Sequence, residues 1–314
     1  KKGGYIQAIG SWTRDGGSGP DDLFIAVTSE GECVIYSGND PGVAASWNLV
    51  GVFNIGKPIG RRCLEKAGSD LTVITQDGAI SMSTFLPIDQ IASSGQAIST
   101  NIQNEFLAST RAYSTVFGWQ SILYPQGSYS LFNIPLSATE SIQYVMNSQT
   151  GAWCKFTGQN AACWSLFNGN LYFGAQAGGV IYKADSGFSD NAADIDWKIR
   201  PAFSYYGSRG NKKIFSLCRP HFTSSGIPSF AIDLNLDFSN INPTNIPTPT
   251  DTASGIWDVS KWDESYWAEE VTSAAWTTVF GIGECASPTI RGGTKTISIS
   301  FTAYDMIWQT GSSI

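Results

Sequence analysis

Four strand-turn-strand units recur at nearly even spacing, and this constrains the fold of the 314-residue chain more than any other feature. Leu23–Ser29 turns through Glu30-Gly31 into Cys33–Tyr36, and Leu71–Thr75 turns through Asp77-Gly78 into Ala79–Met82. Ile122–Tyr124 leads through Gln126-Gly127 to Ser130–Phe132, and Leu171–Phe173 turns through Gly178-Gly179 into Val180–Tyr182. The starts at Leu23, Leu71, Ile122 and Leu171 are 48, 51 and 49 residues apart. Strand pairs repeating at about 40–50 residues predict a β-propeller, because a small antiparallel sheet buries both faces only by stacking on neighbours. A β-sandwich with evenly spaced strands is the alternative. The chain lacks an initiator Met, which leads to the expectation of a fragment or processed product whose propeller has further blades before Lys1. Trp12, Trp47, Trp119, Trp153 and Trp164 stand at strand ends and suit wedge-shaped packing between blades.

Elsewhere the pattern changes. Residues 88–114 place Ile88, Ile91, Ile98, Ile102 and Phe106 at helical spacing. They predict a small helical insertion at the rim, capped by Asn101 with Glu105 in the first turn. Past residue 195 the period fails. The expected division is therefore a propeller over 1–195 and a second, β-rich platform or sandwich-like domain over 196–314. In the second domain Arg200–Tyr206, Lys213–Phe222, Phe230–Phe238 and Thr296–Ile307 read as strands. Phe230–Phe238 alternates, with Asp233, Asn235 and Asp237 on the solvent face. Residues 239–255 form a Pro/Thr/Asn-rich loop, and Trp257, Trp262 and Trp267, five apart, read as a loop packing indoles on a sheet.

The composition excludes several classes. Apolar residues make up 42%, too many for disorder, and no apolar run approaches the ~18 residues of a membrane span. Lys1–Tyr5 carries no apolar signal core. Charged residues are only 14% and the net charge is −7, the wrong sign for a dedicated nucleic-acid binder.

Each group able to carry chemistry also has a structural reading. The six cysteines (Cys33, Cys63, Cys154, Cys163, Cys218, Cys285) contain no Cys-x-x-Cys pair, so they read as free thiols, mostly buried, rather than metal ligands. The single histidine, His221, would have to serve any Ser-His-Asp triad, and it reads better as structural. Asp21-Asp22, Glu264, Glu269-Glu270 and Asp305 are the candidate carboxylates for glycoside hydrolysis, and they read better as turn residues. Ser148–Trp153 lacks the Asp and spacing of a sialidase Asp-box. Gly16–Pro20 precedes no helix, and Gly292-Gly293-Thr294-Lys295 reads as a turn before a strand, so neither makes a phosphate loop. Arg61-Arg62 and Lys212-Lys213 read as partners of acidic neighbours. No catalytic, cofactor-binding or metal residue is assigned, and no cofactor is implied.

Three blocks resemble a known family. They are Asp22-Leu23-Phe24 with Thr28–Glu32 and Ile35–Pro41; Gly51–Arg62 followed by Gly68–Leu71 and Asp77-Gly78; and Tyr144–Asn147, Gly151–Trp153 and Arg200–Phe203 with Lys212-Lys213 and Arg219-Pro220. Together they resemble the tail nozzle and tail hub proteins of short-tailed phages (podoviruses), those of the packaged-DNA stabilisation or tail tubular type. The resemblance implies a non-enzymatic virion protein assembled in the host bacterial cytoplasm. It implies a homohexameric ring below the portal that closes the head-tail channel and conducts DNA during ejection. The implied partners are the adaptor (head-tail connector), tail fibre or tailspike proteins, and the passing genome without sequence-specific contact. An acidic conduit that repels phosphates and a reducing compartment that keeps thiols unpaired agree with it. A receptor- or carbohydrate-binding propeller of a tail appendage is the alternative.

Overall fold

The computed structural model describes residues 2–13, 22–85, 97–243, 261, 271–273 and 275–311. The protein is all-β, in several antiparallel sheets with little helix. It divides into two compact units, Lys1–Asp185 and Ser186–Ile314.

The first unit is a succession of four meanders. β1 (Ile6–Thr13), β2 (Asp22–Thr28), β3 (Glu32–Gly38) and β4 (Trp47–Asn54) form the first sheet in chain order. β5 (Leu64–Ala67), β6 (Asp70–Thr75) and β7 (Gly78–Ser81) form the second. The Asp77-Gly78 turn places Gly78 at φ +135°, a conformation closed to most side chains. β8 (Gln120–Tyr124), β9 (Tyr129–Pro135), β10 (Ser141–Asn147) and β11 (Trp153–Thr157) form the third. β12 (Ala161–Phe167), β13 (Asn170–Ala175) and β14 (Ile181–Lys183) form the fourth.

The four first strands pack in series, β1 on β5, β5 on β8 and β8 on β12. Three apolar cores lie between successive sheets, and each buries one tryptophan, with the partly buried Trp153 packed against the second. Trp12 joins Ile25, Ile35 and Val73 in the first, Trp119 joins Ile74 and Phe132 in the second, and Trp164 joins Leu131 and Leu171 in the third.

This arrangement corrects the spacing seen in sequence. Leu23, Leu71 and Leu171 sit on the second strand of their sheets, but Ile122 sits on the first strand of its own. Leu131 on β9 is the true counterpart, so the steps are 48, 60 and 40 residues. Among the described residues the long step holds a short α1 (Met82–Phe85), a 3-10 turn at Ile98–Ile102 and α2 (Gln103–Tyr113); Ile88 and Ile91 of the expected insertion lie outside the described residues. Asn101 lies inside the 3-10 turn and caps nothing; the residue before α2 is Ile102, which makes no side-chain cap, while Glu105 is in the first turn as expected. Instead of standing off at a rim, α2 drives Phe106 into the second core against Trp119, Phe132 and Tyr144.

The second unit has two sheets. β15 (Ile195–Ile199), β20 (Ala286–Thr294) and β17 (Phe230–Leu236) form one, with β20 central. In the other, β16 (Lys213–Ser224) pairs with β21 (Ile299–Thr310) on one side and with β19 (Thr277–Gly283) and β18 (Val271–Ser273) on the other. Phe222 of β16 meets Trp197 and Phe230 from the first of these sheets at ring centroids 5.6 and 5.1 Å apart.

Three sequence readings change here. Arg200–Tyr206 contributes only an isolated bridge, Ser204 to Ala286. Asn235 is fully buried, bonded to Thr289 and to the Ile241 amide, so it holds the following turn instead of facing solvent. Gly292, Gly293 and Thr294 lie inside β20 opposite Trp197, Asp196 and Ile195, not in a turn. A Cβ on Gly292 would come within 2.5 Å of the Trp197 ring, so glycine is what allows that indole in. Of the 239–255 loop only 239–243 falls among the described residues; Trp257, Trp262 and Trp267 lie outside them.

Candidate functional site

A row of long polar side chains runs along the first strands of the first unit. Each of the first three sheets sends one long polar side chain from its first strand to the backbone of the next sheet or the loop leading into it. Gln7 Nε2 donates to the Gly60 carbonyl at 2.7 Å. Glu65 Oε1 accepts the Leu123 amide at 3.1 Å. Gln120 makes two bonds to one residue: Nε2 donates to the Trp164 carbonyl at 2.8 Å and Oε1 accepts the Trp164 amide at 2.9 Å. Burial raises the Glu65 carboxyl above its usual range, and the Leu123 N–H partly opposes this. These latches let first strands converge without leaving backbone groups orphaned, since first strands of different sheets share no ladder.

Beside the last latch is a polar hub. Asn133 is fully buried on β9. Its Nδ2 donates to the carbonyls of Gly118 at 2.8 Å and Ala161 at 3.1 Å, and its Oδ1 accepts Gln143 Nε2 at 2.8 Å and Trp164 Nε1 at 3.0 Å. All four positions of the amide are filled, and they tie the third sheet to the start of the fourth. An open cleft of about 490 Å³ lies between the second and third sheets, lined by Leu123, Phe132 and Met146 with Asp70 as its only charge. Asp70 is engaged by Ser81 and Ser83.

The second unit brings together two residues that the sequence offered separately. His221 Nε2 lies 2.9 Å from Asp305 Oδ2. The same oxygen accepts Arg219 Nε at 3.0 Å, and Arg219 and Asp305 are directly opposite across β16 and β21. The Arg219 guanidinium stacks 4.5 Å from the centroid of the Trp276 ring. Hydrogen bonds from Arg219 and then His221 hold the Asp305 carboxyl below the usual carboxylate range. A triad would need a hydroxyl on the other imidazole nitrogen. Among the described residues the only hydrogen bond of the His221 ring is to Asp305. With Arg219 neutralising the carboxylate, the cluster is arranged as a clamp between two strands.

The other candidates are dispersed. Asp22 accepts Thr13 Oγ1 at the mouth of a hairpin, while Asp21, Glu264, Glu269, Glu270 and Gly16–Pro20 lie outside the described residues. Arg62 donates to Gln120 instead of a carboxylate, because the neighbouring first strand presents an amide there. Lys213 is fully buried, its Nζ bonded to the carbonyls of Ser208, Asn211 and Glu284, not to an acid. Cys33, Cys63, Cys218 and Cys285 are buried, Cys163 is partly so and Cys154 is exposed, all as free thiols. Among the described residues no three His, Cys, Asp or Glu side chains are grouped to hold a metal, and no helix is long and apolar enough to cross a membrane.

The latches and the hub were not singled out from sequence. Their one signal is a polar residue inside an apolar strand, as in Phe132-Asn133-Ile134 and Ile142-Gln143-Tyr144. No protein-family model and no curated protein matches the chain.

Proposed function

We propose that this chain is a structural virion protein, a subunit of the ring-shaped tail nozzle or hub of a short-tailed phage. In this reading the four meanders are blades of a β-propeller and the second unit is a platform. The observation that carries it is the serial packing of four first strands with an apolar core between each pair of sheets, which is how propeller blades stack. The resemblance in the turn-rich blocks supplies the phage context. The polar groups support a mechanical role: Gln7, Glu65, Gln120, Asn133 and Lys213 each bond to backbone groups. The proposed work is to close the channel and then let DNA slide, which suits a net charge of −7. The role calls for no catalytic residue and no cofactor.

Mass measurement and negative-stain electron microscopy, on the protein alone and with tail components, test this. A sixfold ring that joins the adaptor or tailspike is expected. A monodisperse monomer that joins no tail component overturns the proposal, and glycan-array binding by that monomer would replace it with the receptor-binding reading.

A further inference from the structure

The first sheet is apolar on both faces. Leu23-Phe24-Ile25-Ala26-Val27 and Cys33-Val34-Ile35-Tyr36 are apolar at every position. An antiparallel sheet wetted on one side alternates, and a continuous apolar run belongs to a strand covered on both. The second and third sheets fit this rule, since each contributes residues to two cores. The first sheet does not. Ile25, Val27, Cys33 and Ile35 enter the first core. The alternate residues form a row across the opposite face, Ile9–Ala26–Val34–Val52, by direct cross-strand pairing. Beside it Trp47 stacks on Tyr36 at 5.4 Å and leans on Phe24 at 5.8 Å. None of these belongs to any of the three cores. Ile9 and Val52 remain 63% and 42% exposed.

We propose that this face seats a further antiparallel β-meander, contributed by polypeptide other than this sequence, with an apolar facing side and a Gln or Glu on its first strand. Three observations select that occupant. Every neighbouring interface in the series is sheet on sheet, so the face continues a pattern the chain already repeats three times. Each of those interfaces also carries a latch from the first strand of the earlier sheet, made by Gln7, Glu65 and Gln120 in turn, so the sheet preceding β1 owes one to β1. The fourth sheet of a second copy does not qualify. β12 (Ala-Ala-Cys-Trp-Ser-Leu-Phe) has no amide or carboxylate side chain to make the latch, and its outer face sets a polar row, Ser165, Tyr172 and Lys183, beside the apolar row Cys163, Gly174 and Ile181. The choice of a sheet rests on the propeller reading above; the need for cover rests on the face alone.

The test compares hydroxyl-radical modification of Tyr36 and Trp47 in the 314-residue chain and in the protein isolated in its native assembly. Sedimentation velocity of the chain accompanies it, with Val34→Lys as the perturbing variant. Modification several-fold slower in the assembly is expected, with a chain that sediments as a monomer. Val34→Lys keeps the near-ultraviolet circular dichroism and unfolding midpoint of the isolated chain but fails to enter the assembly. Equal modification rates overturn the proposal. A dimer of the chain that Val34→Lys dissolves also overturns it, by giving the face to a second copy. Protection of Trp47 in an assembly that is not a sixfold ring retains this interface and removes the nozzle reading; a sixfold ring with Trp47 unprotected does the reverse.

Discussion

Replacing Asn133 with leucine tests whether the polar hub holds the third and fourth sheets together. Leucine keeps asparagine's branching at Cγ with two bulkier methyl groups in place of the amide oxygen and nitrogen, so the perturbation is loss of hydrogen bonds with some crowding added at a fully buried position. Four are lost: two donated to Gly118 and Ala161 and two accepted from Gln143 and Trp164. Two of the former partners keep another bond, because Gln143 Nε2 still reaches the Gln159 carbonyl and the Ala161 carbonyl still accepts Gln176 Nε2. The Gly118 carbonyl and the Trp164 indole N–H are left without one. Each unsatisfied buried group costs about 1–3 kcal/mol, so two of them should make Asn133→Leu destabilise the first unit by about 2–5 kcal/mol after a small gain from burying apolar surface. The assay is urea unfolding, with hydrogen exchange of the β9 amides reporting on this unit separately from the second. A double-mutant cycle with Trp164→Phe, which removes the indole donor, should return a coupling of about 1–2 kcal/mol. Asn133→Asp should be worse than leucine at neutral pH, since a carboxylate would face the Gly118 and Ala161 carbonyls with no cation. Burial raises the pKa of such an acid, so its penalty should grow as pH rises above about 4. A cost below about 1 kcal/mol for Asn133→Leu, or a coupling indistinguishable from zero, would refute the hub.

Three further outcomes are expected. Lys213→Met leaves three carbonyls without their ammonium donor and should destabilise the second unit by about 3 kcal/mol in urea unfolding, a loss that Lys213→Arg recovers in part. The Asp305 carboxyl is held below its usual range in the folded protein, so its contribution is complete above the unfolded-state value near ~4 and is lost as pH falls through the folded value; the melting-temperature gap between wild type and Asp305→Asn should therefore close below that pH, and a gap constant with pH would refute the clamp. Burial raises Cys33 to about 12 and Cys63 and Cys218 to about 11, so a thiol reagent at pH 8 should label exposed Cys154 first and reach those three only on unfolding, as read by peptide mass spectrometry.

Much of the fold was legible because its signals are local. Asp77-Gly78 and Glu30-Gly31 mark turns by backbone chemistry alone, and apolar runs of strand length mark the strands between them. The spacing of the repeat was misread at one step because periodicity does not say which strand of a meander a hairpin begins with. Ile122 and Leu131 are both apolar strand residues, and only the packing of β8 on β5 and β12 shows that Ile122 belongs to a first strand. Lys212-Lys213 reads as a partner of acidic neighbours for a similar reason. Nothing adjacent in sequence reveals that the Glu284 carbonyl, 71 positions away, waits for the second lysine. His221 and Asp305 were each noted as candidates, but their meeting depends on the pairing of β16 with β21 across 84 positions.

The sequence by itself determined the all-β class, the hairpin turns at Glu30-Gly31 and Asp77-Gly78 and the change of pattern after residue 195, since these follow from residue type and near neighbours. Tertiary structure alone decided which strand of each meander is first and how Asn133 and Lys213 find four and three partners. It also decided which face of Leu23–Val27 is covered. A run that is apolar at every position announces two buried faces, but only the assembled sheets show that the described residues supply a partner for one of them.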